Sequence, residues 1–219
     1  GADKTMLDAE RSVELARAEL SAQEQRRASL TARCEALRSA LAHDTDSAVG
    51  PEAQYGTLDS VIRVRSGFEK AVAALLGAHA RATVLREGQS PGAVLQAAGD
   101  DESLRLVLAG TPWDAASPVL EYIEAPEYLH GALHHILRGC AIATDLADAE
   151  TLVSQDPHTL VATLTGQVLG RGVAGQGSDG GNVMALRNAL EQATEELVAT
   201  EACWRRAVDH VTRVDAQLS

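Results

Sequence analysis

Three groups of residues have the types and spacing to do chemistry. Gly170-Arg171-Gly172-Val173-Ala174-Gly175 matches GxGxxG, follows a strand-like segment and lies upstream of a helix. Such a loop cradles a pyrophosphate when it opens directly into a helix whose first amides face the anion. Here the residues after Gly175, including Gly177, Gly180 and Gly181, hold the helix away. No second strand carries an acidic residue at the distance a dinucleotide fold needs. Gly177 is followed by Ser178-Asp179, so neither a P-loop nor a GxSxG elbow is present. His130, His134 and His135 share one predicted helix, and the i, i+4 pair His130/His134 has the spacing of two metal corners. A third and fourth ligand are missing and HExxH is absent, so a solvated helix face is the simpler reading. Cys34, Cys140 and Cys203 are scattered with no CxxC, which fits a reducing compartment and no disulfide framework. The glycines then have a plainer use. They let backbones approach closely, within the fold or across an interface, or they serve as a flexible linker.

The elements that would position these residues are two helical arms and a core between them. In the first arm Ala2, Met6, Ala9, Val13, Ala16, Leu20, Gln23, Arg27, Leu30, Cys34, Leu37 and Leu41 alternate steps of four and three. In the last arm Val183, Leu186, Leu190, Ala193, Leu197, Thr200, Trp204, Ala207, Val211, Val214 and Leu218 do the same. A sustained period of 3.5 gives a narrow seam that buries only against another helix. Matched arms at the two ends of the chain predict an antiparallel coiled coil over 1–43 and 183–219, with a core, 44–182, at its tip. The chain opens inside a heptad and Gly1-Ala2 reads as a remnant, so a piece of a longer protein is expected.

Within the core, His43, Asp44, Asp46, Ser47, Gly50 and Pro51 form a breaker cluster. Strands are predicted over 58–64, 82–85, 104–108 and 140–143. Helices are predicted from Ser66-Gly67 to Gly77, from Ser90-Pro91 to Ala98, over 127–137, and from an Asp145 cap to Val153. Thr159–Thr163 and Gln167–Leu169 flank Thr165-Gly166 as a β-hairpin. Pro112, Pro118 and Pro126 mark a connection, with a short element at 119–123. The fold class is therefore α+β (mixed α/β), a globular core of two subdomains with a break near 110–126.

Charge is unevenly placed: the first arm is net 0, the core −10 and the last arm −2, within a chain of net −12. An acidic core argues against general phosphate binding, which draws on Lys and Arg. Only Lys4 and Lys70 of the 19 basic residues are lysine, a skew that fits a GC-rich genome. No signal peptide and no membrane-length apolar run occur, so a cytoplasmic protein is expected.

Three segments, in order and between two coils, resemble the hinge of bacterial structural maintenance of chromosomes (SMC) proteins. They are Tyr55-Gly56-Thr57-Leu58 running through Gly67-Phe68-Glu69-Lys70-Ala71-Val72 to Leu75-Leu76-Gly77, then Gly139-Cys140-Ala141-Ile142-Ala143-Thr144-Asp145-Leu146-Ala147-Asp148-Ala149, then Leu160–Leu169 followed by glycines from Gly172 to Gly181. The resemblance implies a non-enzymatic homodimerisation hinge joining two coiled-coil arms into a DNA-entrapping ring or rod. It implies ATP and Mg only at head domains beyond the arms, kleisin-type subunits at those heads, and a nucleoid-associated location. Carried over residue by residue, it puts the hinge–hinge contact at Gly172, Gly175, Gly177, Gly180 and Gly181. Family hinges that bind DNA use basic residues near the coil junction. The candidates here are Arg38, Arg171 and Arg187, with Arg63 and Arg65 on one predicted strand face. The acidic core argues against direct DNA binding by the hinge. Thr165 stands where the family usually has an acid, at a turn that tolerates the exchange. Competing readings are a coiled-coil-displayed adaptor that docks another protein, a dinucleotide enzyme, and a zinc-hook apex, which the single core cysteine, Cys140, excludes.

Overall fold

The computed structural model describes residues 2–41, 49–99, 104–113, 117–177 and 180–218. Most of the predicted breaker cluster and Ser178-Asp179 lie outside them. The chain divides into two compact units. The arms, 1–43 and 189–219, form one, and residues 44–188 form the other.

Helix α1 (Ala2–Leu41) is followed by the core elements. These begin with β1 (Gln54–Thr57), the single helical turn α2 (Leu58–Val61), β2 (Arg63–Val64) and α3 (Glu69–Leu76). Then come β3 (Thr83–Leu85), α4 (Pro91–Ala98), β4 (Leu106–Leu108), a 3-10 turn at Pro118–Tyr122 and β5 (Ile123–Glu124). The second half holds α5 (Glu127–Ile136), β6 (Cys140–Ala143), α6 (Leu146–Gln155), β7 (Leu160–Thr163), β8 (Gln167–Gly170) and β9 (Val173–Gln176). Helix α7 (Gly180–Leu218) closes the chain and starts three residues before the predicted arm.

Among the described residues the strands make three small sheets. In the first, ordered β1-β3-β4, β1 is antiparallel to β3 and β3 is parallel to β4. Helix α4 supplies the crossover that a parallel pair requires. Its Ser90 side chain accepts from the Ala93 amide and Pro91 fills the first turn, as the sequence predicts. The second is the two-stranded β2-β5. The third is ordered β6-β7-β8-β9. It begins with a parallel β6-α6-β7 unit and continues through two antiparallel hairpins. Asp145 caps α6 through the Asp148 amide.

The two halves share one core. Leu58, Val64, Val72, Leu76, Val84 and Val107 pack in the same cluster as Leu129, Leu133, Leu137, Cys140, Ala162 and Met184. Helix α3 is its centre. Residues Ala71 to Leu76 are all buried, and three alanines among them let neighbouring elements approach closely. Each fully buried leucine contributes about 1.5–3 kcal/mol of transfer free energy. With few aromatics available, that sum comes from aliphatic side chains.

The predicted strand over 58–64 is corrected. Leu58–Val61 forms a helical turn and only Arg63–Val64 is strand. Thr57 at the N-cap bonds the Asp59 carboxylate, and the Ser60 hydroxyl donates to the Thr57 carbonyl. Those local bonds draw the backbone away from a ladder.

In the arm unit the seam reads as the heptads predict. From Val13 to Leu41 every seam position of α1 is buried or half-buried and every residue between them is exposed. The helices run antiparallel. Arg17 pairs with Asp215 at 3.1 Å, the Arg27 guanidinium lies 4.5 Å from the Trp204 ring centre, and Cys34 Sγ sits 3.9 Å from Thr194 Oγ1. Cys34 acts there as a small hydrophobe.

Candidate functional site

The glycine-rich run is a hairpin edge. Gly170 ends β8, Arg171-Gly172 turns, and Val173–Gln176 returns as β9, pairing Val168 with Gly175 and Leu169 with Ala174. Positive φ at Gly170 (124°), Arg171 (53°) and Gly172 (77°) makes the turn tight. A side chain at Gly170 would also strike the Thr159 carbonyl. The GxGxxG spacing therefore records a strand reversal, with no helix N-terminus on its last glycine. Sequence reading misses β9 because Val173-Ala174-Gly175-Gln176 has one β-branched residue and a glycine. The available signal was the two-residue Arg171-Gly172 gap between short apolar segments.

All four residues of β9 are exposed, and β9 is the outermost strand of its sheet. Val173 is 58% exposed. A Cβ at Gly172 or Gly175 would meet nothing within 4 Å. Gly177 differs. A Cβ there would fall 2.4 Å from Ala74 Cβ and 2.8 Å from the Gly166 carbonyl oxygen, and its own amide donates to that oxygen at 2.7 Å. Gly177 is thus engaged inside the core, where it seats the exit of β9 against α3. Gly180 and Gly181 form the first residues of α7.

The candidate arginines of the core are each engaged with a separate partner. Arg171 donates to the carbonyls of His158 (2.8 Å), Arg138 (2.6 Å) and Gly139 (3.0 Å), which fastens the β8–β9 turn to the loops before β6 and β7. Arg187 pairs with Asp59 at 3.6 Å, and the Asp59 side chain is almost fully buried. Beside it, Asn188 Nδ2 donates to the Val64 carbonyl and to Glu69 Oε1, while Glu69 Oε2 accepts from the Gly67 amide. This polar cluster fixes the root of α7 to the start of α3. Sequence reading offered Arg171 and Arg187 only as candidate DNA contacts near the coil junction; it cannot see carbonyls and carboxylates brought close from distant segments. Arg65 donates to the Glu121 carbonyl and lies 5.4 Å from the Tyr122 ring centre. Arg63 stands 4.0 Å from Glu124 across the β2-β5 pair. Arg38 is exposed in the last turn of α1.

The histidines of α5 also have structural partners. His130 Nε2 bonds the Ala125 carbonyl, His135 Nε2 the Pro112 carbonyl, and His134 Nδ1 the Ser117 amide. The solvated helix face of the sequence reading is corrected, since His134 is buried. Among the described residues no group of three or more His, Cys, Asp or Glu side chains is placed to hold a metal ion. Burial pushes the Cys140 thiol above its ordinary value, against the pull of Arg171, so it is no activated nucleophile. No helix among the described residues is long and apolar enough to cross a membrane.

Residues 52–153 match the family model of the SMC proteins' flexible hinge domain. The chain is 36% identical over 212 residues to the chromosome partition protein Smc of Mycolicibacterium paratuberculosis, and 31% identical over 218 residues to that of Mycobacterium tuberculosis. Each alignment covers 88% of this chain and 18% of the relative, so the chain spans about a fifth of their length. The fold is similar to that of the Geobacillus stearothermophilus SMC hinge domain, crystallised as an asymmetric dimer. The TM-score is 0.77 over 97% of this chain and 99% of that one, at 18% identity. The family match ends inside α6, and the structural likeness extends the same fold through β9 and into both arms. A mixed α/β core and a pair of antiparallel helices, matched in sequence and in fold to that domain, make this chain a member of the SMC hinge family.

Proposed function

We propose that this chain is the homodimerisation hinge of a bacterial SMC chromosome-partition protein, and that two copies associate through exposed sheet edges, β9 foremost. The observation that carries this reading is β9 itself. It is an outermost strand, exposed at every residue, with one glycine, Gly175, inside it and another, Gly172, in the turn before it. An edge strand of this kind is ordinarily blunted by charge, proline or a covering element. From Gly172 to Gly177 there is no charged residue. Pairing of such an edge with a second copy satisfies its free amides and carbonyls and is self-complementary about a two-fold axis.

In the whole protein, the arms would lead to ATP- and Mg-binding heads that kleisin-type subunits join. The hinge would close the far end of a ring or rod that entraps DNA on the nucleoid. The core's net charge of −10 supports DNA being held by enclosure and not by the hinge surface.

Light scattering after size exclusion tests the first step. A dimer of about 46 kDa is expected at micromolar concentration, twice the 23.0 kDa chain. A monomer at that concentration refutes the proposal. Bulky replacement of Gly180 or Gly181 is expected to abolish the dimer while the circular dichroism spectrum is retained. A surviving dimer in both variants assigns those glycines to the entry of α7 and not to the interface.

A further inference from the structure

Three histidines on one helix bond the backbone before it at three separate points. Pro112 and Ser117 belong to the connecting segment between β4 and β5, and Ala125 lies between β5 and α5. His135 Nε2 bonds the Pro112 carbonyl at 3.1 Å, His134 Nδ1 the Ser117 amide at 3.0 Å, and His130 Nε2 the Ala125 carbonyl at 3.0 Å. The Trp113 ring stacks on the His134 ring, with centroids 4.2 Å apart and planes inclined by 16°, and meets His130 edge-on at 6.4 Å. The backbone comes close as well. A Cβ at Gly131 would lie 1.6 Å from the Thr111 carbonyl oxygen, so only glycine admits this approach. Ser117 Oγ completes the seat by donating to the Leu137 carbonyl at 3.0 Å.

The central bond has a fixed direction. A backbone amide can only donate, so His134 Nδ1 must be the acceptor and must carry no proton. Its two neighbours bond carbonyls, which accept, so His130 and His135 each present Nε2–H and can do so in either charge state. The clasp therefore contains one member that works only when neutral, and that member is buried.

We propose that this histidine clasp is a pH-sensitive fastening of the hinge: protonation of His134 releases Ser117 and Trp113 from α5, while His130 and His135 keep their bonds. A proton on Nδ1 would face the Ser117 N–H donor to donor and leave a buried amide without a partner. Burial, then the charges of His130 and His135, hold His134 below the ordinary imidazole value. Those are the charges acting on it among the described residues. From the connecting segment it faces the Trp113 ring and the Ser117 amide. The direction follows from linkage. In the unfolded chain the imidazole titrates near its ordinary value of about 6.5 and takes up its proton first as the pH falls. The clasp's contribution is full above that value and is lost progressively below it, toward the lower folded value.

The test is hydrogen–deuterium exchange of the full chain at pH 7.5 and pH 5, corrected for intrinsic exchange, with His134→Asn alongside. Asparagine places a carbonyl oxygen near the Nδ1 position and cannot be protonated in this range. The expected result is about a 10-fold loss of protection in peptides spanning Pro112 and Ser117 on acidification of the native chain. His134→Asn should show no such loss. In parallel, the His134 ring signal followed by NMR should titrate with a midpoint below that of a free imidazole. Equal protection at both pH values in the native chain overturns the proposal, and so does a His134 midpoint at or above 6.5. An equal acid response in a folded His134→Asn chain also overturns it. If that variant does not fold, the native chain's exchange and titration decide alone.

Discussion

Gly175 and Gly177 are two residues apart, belong to the same run, and should respond oppositely to substitution. At Gly177 an added methyl would sit 2.4 Å from Ala74 Cβ and 2.8 Å from the Gly166 carbonyl oxygen. Carbon atoms pack at about 3.5–4.0 Å, so more than an ångström of movement is required. The opposing atoms are a helix methyl, a helix backbone carbon and a turn carbonyl, and none is the free end of a flexible side chain. Overpacking of this kind costs about 1–3 kcal/mol, and loss of the Gly177 amide bond to Gly166 adds about 1 kcal/mol. Gly177→Ala should therefore destabilise the core by about 2–4 kcal/mol. For a chain of this length that lowers Tm by about 5–12 °C. At Gly175 an added Cβ meets nothing within 4 Å, and its φ is not positive. Gly175→Val should leave Tm unchanged or slightly higher, because a β-branched residue suits a strand. It should instead weaken the dimer by at least tenfold, because a branched side chain there crowds the partner strand's side chains on the same face of the paired edge. Thermal melts by circular dichroism and sedimentation equilibrium over a concentration series read the two effects separately. An unshifted melt in Gly177→Ala would refute the packing argument. A native dimer constant in Gly175→Val would refute the assignment of β9 to the interface.

Two further substitutions probe the remaining contacts. Arg171→Ala removes three bonds to carbonyls at an exposed turn and should cost about 1–2 kcal/mol, read as a lower urea midpoint; if stability is unchanged, the turn is held by its glycines alone. Trp204→Ala strips a half-buried aromatic and its stacked Arg27 from the arm seam. It should destabilise arm pairing by about 2 kcal/mol, seen as an earlier loss of helical signal, with the dimer constant unaltered; a weakened dimer would contradict separate roles for arms and core.

How much of this was legible depends on the range of the forces involved. The arms were legible residue by residue, because a heptad seam is a local pattern whose partner is another copy of the same pattern. Cys140–Ala143 and the Asp145 cap were equally plain, since strand propensity and capping act within a few residues. The turn at Leu58–Val61 was misread because its apolar and β-branched residues suggest a strand. The Thr57, Asp59 and Ser60 side chains that bend it were given too little weight. The roles of Arg171, Arg187 and the three histidines could not be read at all. Each is set by a backbone carbonyl, amide or carboxylate that arrives from at least 5, and in one case 128, residues away.

The charge distribution then acquires a mechanical meaning. Two cores of net −10 repel one another, and at physiological salt that repulsion fades over about 8 Å. Association must therefore come from surfaces where the acidic residues are absent. The open outer strands meet that condition. Neither Leu106-Val107-Leu108 of β4 nor Val173-Ala174-Gly175-Gln176 of β9 carries a charge, and Leu108 and Val173 stay exposed at 42% and 58%. Acidity elsewhere disfavours nonspecific stacking of cores and leaves the neutral edges as the approach of lowest electrostatic cost. On the proposed function, the same acidity would disfavour DNA phosphates at the core surface. On the proposed function, the negative charge and the neutral edge of β9 would serve one selection, in which the hinge meets a second hinge and not the polymer it would help to enclose.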